Sequence, residues 1–247
     1  MVKEPNSRIG DKAPYDHNLK SALAAWEDPP IRVVENVAPS LEENENNNAA
    51  LEHTAPGMML QFAIAGLLVS AQVIVSERKS RSLQRLLTTA TRRIHILLGH
   101  YLAIFLLIFA QFSILVTFGQ VVLGVNYFRL PQATLLVAFC AALCISALGL
   151  LIGVLAKNEE QAIVFSLVPM FVFAGLGGAW VPLEVTGETF RAIGHLSPIA
   201  WGMDGFENIV ARGLGFKAVL LPSAALAGYA ALFFALAVWR LNTAEEK

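Results

Sequence analysis

Apolar residues run in five long stretches separated by short polar links, and those stretches predict the fold before any single residue does. A bilayer core of about 30 Å needs about 20 apolar residues in helix, since only a helix or a closed barrel satisfies its own backbone in lipid. The first stretch, residues 57–75, carries no charge; Gln61 and Gln72 are its strongly polar side chains. The second lies within Ile94 to Val125. As one helix it would be about 48 Å long, too long for the hydrocarbon, so its span is placed at 101–125 with a protruding start. The others fall at 130–156, at 161–181 with Pro169 as a kink point, and at 218–239. The pattern predicts an all-α membrane protein: five transmembrane helices over residues 57–247 behind a polar N-terminal segment, 1–56. In that segment Ile31 to Val37 has the composition of a strand, and Leu41 to Asn48 reads as a solvated loop.

Composition agrees. Of 247 residues, 55% are hydrophobic and 15% charged, against about 25% charged in a soluble domain. A soluble enzyme, a disordered chain and a disulfide scaffold are excluded. The net charge of −1 conceals an asymmetry: residues 1–56 hold 10 acids and 5 bases, and Ser76 to Arg93 holds one acid and 6 bases. Short basic loops stay on the cytoplasmic side. Arg78, Lys79, Arg81, Arg85, Arg92 and Arg93 therefore place that loop inside. Alternation puts 182–217 outside, the C-terminus inside and the N-terminal segment outside. No charged n-region and apolar h-region precede Gly57, which leaves a reverse-anchored first span or a missing upstream span; the second is favoured for a reason given below.

Chemical motifs are absent. There is no G-x-x-x-x-G-K-[ST] loop, so ATP chemistry would have to come from a partner, and no H-E-x-x-H, C-x-x-C or G-x-S-x-G. No catalytic or metal-ligating set is predicted, and nothing suggests nucleic acid as a partner. His95 and His100, five apart, do not share a helical face and read as interfacial histidines. Cys140 and Cys144, an i, i+4 pair inside a span, read as small packing residues. Gly149 and Gly153 form a G-x-x-x-G spacing that admits another helix closely. No span carries a charge at its centre, which disfavours an ion-driven carrier. Gln61, Gln72, Gln111 and Gln120 are candidates for lining a polar path, with hydrogen bonds between helices as the plainer role.

Two segments carry the functional expectation. In Glu77 to Thr89, Leu83, Leu86 and Leu87 make an apolar stripe on a short helix whose other side is basic. It fits a helix lying in the lipid headgroups or one offered to a cytoplasmic partner. In the outer loop, Thr186 is placed to cap a helix carrying Glu188, Phe190, Ile193 and Leu196 that stops at Ser197-Pro198. Pro198 then opens a second helix through Trp201, Phe206 and Ile209 to Arg212, with Gly213 as its stop. So many apolar residues suggest a re-entrant or interfacial hairpin, or a lid that packs the spans together.

The chain resembles the type-2 permeases of ABC exporters, particularly the bacterial multidrug branch. That family carries a segment like E-R-x-x-G-T-L-x-x-L-L-x-T-P-x-x-R after its extracytoplasmic domain and one span, matched here at Glu77, Arg78, Leu83, Leu86, Leu87, Thr89 and Arg93, with Gly99 followed by His100 in place of lysine. The family's glycine is Arg81 and its proline Ala90. Gly175 to Pro182, Leu183-Glu184, His195 to Pro198, Trp201 and Asp204 resemble its outward-facing loop. The likeness covers about residues 54–241. It implies that Glu77, Arg78, Leu83, Arg85, Leu86, Leu87 and Thr89 couple to an ATPase, and that Pro182, Glu184, Glu188, Pro198, Trp201 and Asp204 belong to an outer re-entrant loop. It implies a permease domain in the bacterial inner membrane that exports amphiphilic or hydrophobic compounds. Its partners would be ABC ATPase subunits holding ATP and Mg, a second permease subunit (identical or not) and membrane lipid. The chain itself would bind no cofactor. The family has six spans, so the chain resembles the end of the extracytoplasmic domain plus spans two to six, which accounts for the outside N-terminus. Two other readings stay open: a truncated permease kept as an assembly or regulatory subunit, and a membrane enzyme on lipid-linked substrate using Glu184, Glu188, Asp204 and Glu207.

Overall fold

The structure, a computed structural model, describes residues 43–79 and 93–243. It contains α1 (Glu43–Lys79), α2 (Arg93–Val121), α3 (Pro131–Leu155), α4 (Glu159–Leu176), α5 (Glu188–Gly194), α6 (Pro198–Val210) and α7 (Lys217–Thr243). Single 3-10 turns lie at Tyr127–Arg129 and Leu183–Val185, and no strand occurs among the described residues. Five helices are long and apolar enough to cross a membrane: Ala50–Glu77, His95–Val121, Pro131–Leu155, Glu159–Leu176 and Lys217–Leu241. The chain is an all-α membrane protein.

Helix α3 is the centre of the bundle and packs most extensively on α7, then on α2, α6 and α4. Seventeen of its 25 residues are buried, many of them Ala, Gly, Ser or Cys. Lipid tails are as apolar as leucine, so helices in a bilayer associate through close packing, which small residues permit. The G-x-x-x-G pair receives α1: a Cβ on Gly149 would meet Ser70 at 3.1 Å, and one on Gly153 would meet Ile74 at 2.6 Å. Cys140 and Cys144 are free and buried in the same helix. By contrast α4 buries only Ala162, Ser166 and Ala174 and exposes Val164, Phe165, Val168, Phe171 and Val172.

The structure corrects several boundaries. Helix α1 runs unbroken through Pro56 rather than starting at Gly57, and Glu43–Asn48, expected as loop, is helical. Proline forfeits one backbone bond, but the buried Pro56 ring is packed inside the bundle. The strand expected at Ile31 to Val37 lies outside the described residues. Helix α2 ends at Val121, not Val125, because Gly124 (φ +71°) turns the chain back and seats Tyr127 on Gly119, where a Cβ would lie 2.7 Å from the ring. The Thr134 hydroxyl donates to the Tyr127 carbonyl at 2.6 Å, and burial pushes the Tyr127 phenol pKa up. Helix α4 begins at Glu159, two residues before the expected start. The Asn158 side chain caps it by accepting from the Gln161 amide at 2.8 Å, and the Gln161 side chain accepts from the Lys157 amide at 3.0 Å. It stops at Leu176 rather than Val181, where Gly177 and Gly178 (φ +83°) redirect the backbone.

Replacing Gly153 by valine should drive a side chain into Ile74 and destabilise the α1–α3 contact by about 1–3 kcal/mol. Gly228→Ala, with open space around the new methyl, should stay within about 0.5 kcal/mol of the parent. Thermal unfolding of the two variants in nanodiscs measures the difference.

Candidate functional site

The chain between α4 and α7 builds a helical hairpin that descends into the bundle and returns. After Gly178 packs under Leu183, the Leu183–Val185 turn is closed by the Thr186 hydroxyl, which donates to the Leu183 carbonyl at 2.7 Å. Thr186 therefore does not cap α5; Gly187 occupies that position with no side-chain bond. Gly194 ends α5 where a Cβ would collide with the Leu176 carbonyl at 2.7 Å. Ser197 then caps α6, accepting from the Ile199 amide at 3.2 Å and donating to the Phe173 carbonyl at 3.1 Å, with Pro198 at the first helical position.

The apex of this hairpin lies deep. The Tyr229 hydroxyl donates to the Leu196 carbonyl at 2.9 Å, and Tyr229 is twelve residues after Lys217, about 18 Å along α7. Pro198 and Ile199 face Ile64, Cys144 and Ile145, each near the middle of its own helix, around an apolar cavity of about 10 Å³. Helix α6 thus runs from the middle of the bundle back to its rim, a re-entrant geometry.

That descent carries His195 below the rim, with Asp204 part-way back along α6 and Glu207 near the rim. His195 Nε2 lies 2.8 Å from Asp204 Oδ2, and His195 Nδ1 lies 2.8 Å from the Arg191 carbonyl oxygen. Trp201 donates its indole N–H to the His195 carbonyl at 2.8 Å and stands edge-on to the imidazole, ring centroids 5.0 Å apart. Asp204 and Glu207, one turn apart on α6, share with Arg191 and Gly178 the wall of a second cavity of about 10 Å³, room for one water. Glu207 is 7% exposed; its Oε1 is 2.5 Å from His53 Nδ1 on α1, and its Oε2 is 3.4 Å from Arg212 Nη2. Arg212 also donates to the Asn208 side-chain oxygen at 2.7 Å, and the Asn208 amide donates to the Ala218 carbonyl at 3.1 Å. A polar seam thereby joins α1, α6 and the start of α7.

Of the outer-loop residues expected from the sequence, Pro198, Trp201 and Asp204 come together on α6. Pro182 is half-buried and Glu188 exposed at the rim, while the Glu184 side chain lies outside the described residues. His53, Asn208 and Arg212 were not among the expected site residues, and Glu207 was expected only as one of the acids of a membrane enzyme on lipid-linked substrate. The i, i+3, i+4 spacing of Asp204, Glu207 and Asn208 marks a polar stripe on α6, and Arg212 follows just beyond its end. Nothing local could have paired Glu207 with His53, 154 positions away. Three of the four path glutamines hold neighbouring chain: Gln61 accepts from the Trp180 indole at 2.8 Å, Gln111 donates to the Phe62 carbonyl at 2.8 Å, and Gln120 accepts from the Phe128 amide at 2.8 Å. Gln72 is half-buried on α1.

At the opposite end of the bundle, Glu77 in the last turns of α1 hydrogen-bonds His100 Nε2 on α2, and Lys79 pairs with Glu159 of α4 at 3.4 Å. Leu83, Arg85, Leu86, Leu87 and Thr89, and the side chain of Arg78, lie outside the described residues. Among the described residues no group of three or more His, Cys, Asp or Glu is arranged to hold a metal ion.

A family model described as "ABC-2 family transporter protein" matches residues 12–239. The chain belongs to the ABC-2 transporter family. It is 26% identical over 181 residues to the linearmycin resistance permease protein LnrN of Bacillus subtilis, covering 73% of this chain and 47% of that protein. It is 23% identical over 217 residues to ABC transporter G family member 20 of Dictyostelium discoideum, covering 85% of this chain and 29% of that one. A further likeness, 36% over 129 residues, is to a glycerol-3-phosphate acyltransferase of Anaeromyxobacter, covering 52% of this chain and 62% of that protein. The chain spans half or less of the length of the two transporter relatives. No solved structure matches it.

In this ABC-2 family chain Ser197→Ala removes both the α6 cap and the bond to the Phe173 carbonyl. It should cost about 1–2 kcal/mol and speed amide exchange in the first turn of α6, read by hydrogen–deuterium exchange in nanodiscs.

Proposed function

We propose that the chain is the membrane-spanning permease part of an ATP-driven exporter of amphiphilic or hydrophobic compounds, with ATP and Mg held by separate ABC ATPase subunits. The observation that carries this reading is the family match over nearly the whole chain, and the resistance permease among its relatives favours efflux. The basic run Ser76 to Arg93 puts its own end of the bundle in the bacterial cytoplasm, the re-entrant hairpin at the external face and the N-terminal segment outside. Glu77, Arg78, Leu83, Arg85, Leu86, Leu87 and Thr89 then form the coupling segment.

Local ties support that role for Glu77. Displacement of the segment pulls on α1 directly, on α2 through Glu77–His100, and on α4 through Lys79–Glu159. Movement of an external motor would thereby bias the bundle between inward and outward access. The apolar flank of α4 is covered by lipid or by a second permease subunit. No covalent chemistry is assigned to any side chain.

Introducing charge on the apolar stripe, Leu83→Asp with Leu86→Asp, should abolish co-purification of the ATPase. ATP-dependent uptake of a fluorescent amphiphile into inverted vesicles should fall at least about tenfold, while the permease still reaches the membrane. Full ATPase retention by the double variant, or labelling of this segment from outside the cell, overturns the reading.

A further inference from the structure

The seam between α1 and the hairpin joins two elements through a side-chain polar pair as well as close glycine contacts. On its far side α6 is keyed in place: Phe206 lies between Phe112 and Tyr127, with ring centroids 6.2 Å and 6.1 Å away, and Asn208 is bonded to the start of α7. Towards α1 two glycines take close contacts. Gly202 lies flat on Leu60, where a Cβ would come within 2.9 Å, and Gly57 lies against the Ala179 carbonyl, where a Cβ would come within 2.3 Å. Polar contacts also cross this seam. His53–Glu207 is the buried one, and Gln61–Trp180 is a second, exposed one.

Helix α1 is itself divided at this level. Below it, Leu67, Ser70 and Ile74 are seated on Gly149 and Gly153 of α3. Pro56, between His53 and that anchored part, lacks an N–H and leaves one turn of the helix short of a backbone bond. Gly57 follows it directly. The His53 ring nitrogen facing away from Glu207, Nε2, is buried without a hydrogen-bond partner. Hydration on opening would satisfy it, so the closed arrangement is held by Nδ1 alone against a cost at Nε2.

We propose that His53 and Glu207 form a latch that holds the first turns of α1 against the re-entrant helix, and that its release lets those turns swing about Pro56–Gly57 while α6 stays with α2, α3 and α7. Both are positioning residues. The latch stands on the geometry of the seam; that its opening clears a route along α6 for an exported compound rests on the exporter reading above.

The test needs no ATPase and so fails or succeeds apart from that reading. Met203 is buried one turn before Glu207 on the same face of α6, and Met203→Cys places a reporter there. Cys144→Ala removes one native thiol, and the buried Cys140 of α3 remains as a control for global unfolding. In nanodiscs, modification by a membrane-impermeant maleimide is followed at each thiol by mass spectrometry. Glu207→Ala and His53→Ala should each speed reaction at position 203 at least about tenfold with Cys140 unchanged. Glu207→Gln, which keeps an acceptor for the His53 N–H, should stay within about twofold of the parent. The double alanine variant should react no faster than the faster single one, since both break the same contact. Unchanged rates in the alanine variants, a glutamine variant as fast as alanine, additive effects, or Cys140 reacting in parallel would each overturn the latch.

Discussion

A chain that turns in the middle of an apolar bundle has no water there to satisfy its backbone, and the rest of the hairpin follows from that constraint. Around the turn His195-Leu196-Ser197 the N–H groups bond back into α5, and side chains supply further bonds. Tyr229 donates to the Leu196 carbonyl, Trp201 to that of His195 and Ser197 to that of Phe173, and the Ser197 oxygen accepts from the Ile199 amide. Three helices contribute to closing this turn. With it fixed, α6 is carried from mid-bundle to the rim, with Asp204 part-way along it and Glu207 near the rim beside His53 of α1.

Charges so placed need partners, and the partners determine how the hairpin is joined to its surroundings. Asp204 is served within the hairpin by His195, so that pair stiffens one element. Glu207 is served by Arg212 on the next turn and by His53 on α1, so that pair joins two elements. The rigid part of the bundle lies elsewhere, where α3 buries its small residues against α1 and α7.

The opposite end is wired in the same manner. Glu77 and Lys79, within the last turn of α1, reach α2 and α4 respectively. The close of α1 is therefore tied to two other helices of the bundle.

The sequence by itself determined the class of the protein, the number and approximate places of its spans and its family, because length of apolar run and charge bias act locally and survive in any arrangement. It also carried the hairpin's proline and the break at Ser197-Pro198, which are properties of a few adjacent residues, but not the caps: Thr186 closes a turn instead of capping α5, and α6 stops at Val210 rather than Arg212. Pro56 and Gly57 misled it, because a buried ring keeps α1 helical where the isolated chain would break; the Gly177-Gly178 turn cut α4 shorter than its hydropathy suggests. Only the tertiary structure decided that the hairpin dips to mid-bundle, that the glutamines Gln61, Gln111 and Gln120 bond to neighbouring backbone or indole, and that His53 meets Glu207. Those outcomes depend on which helices become neighbours, and contacts between residues more than a hundred positions apart leave no periodicity or spacing for a single sequence to reveal.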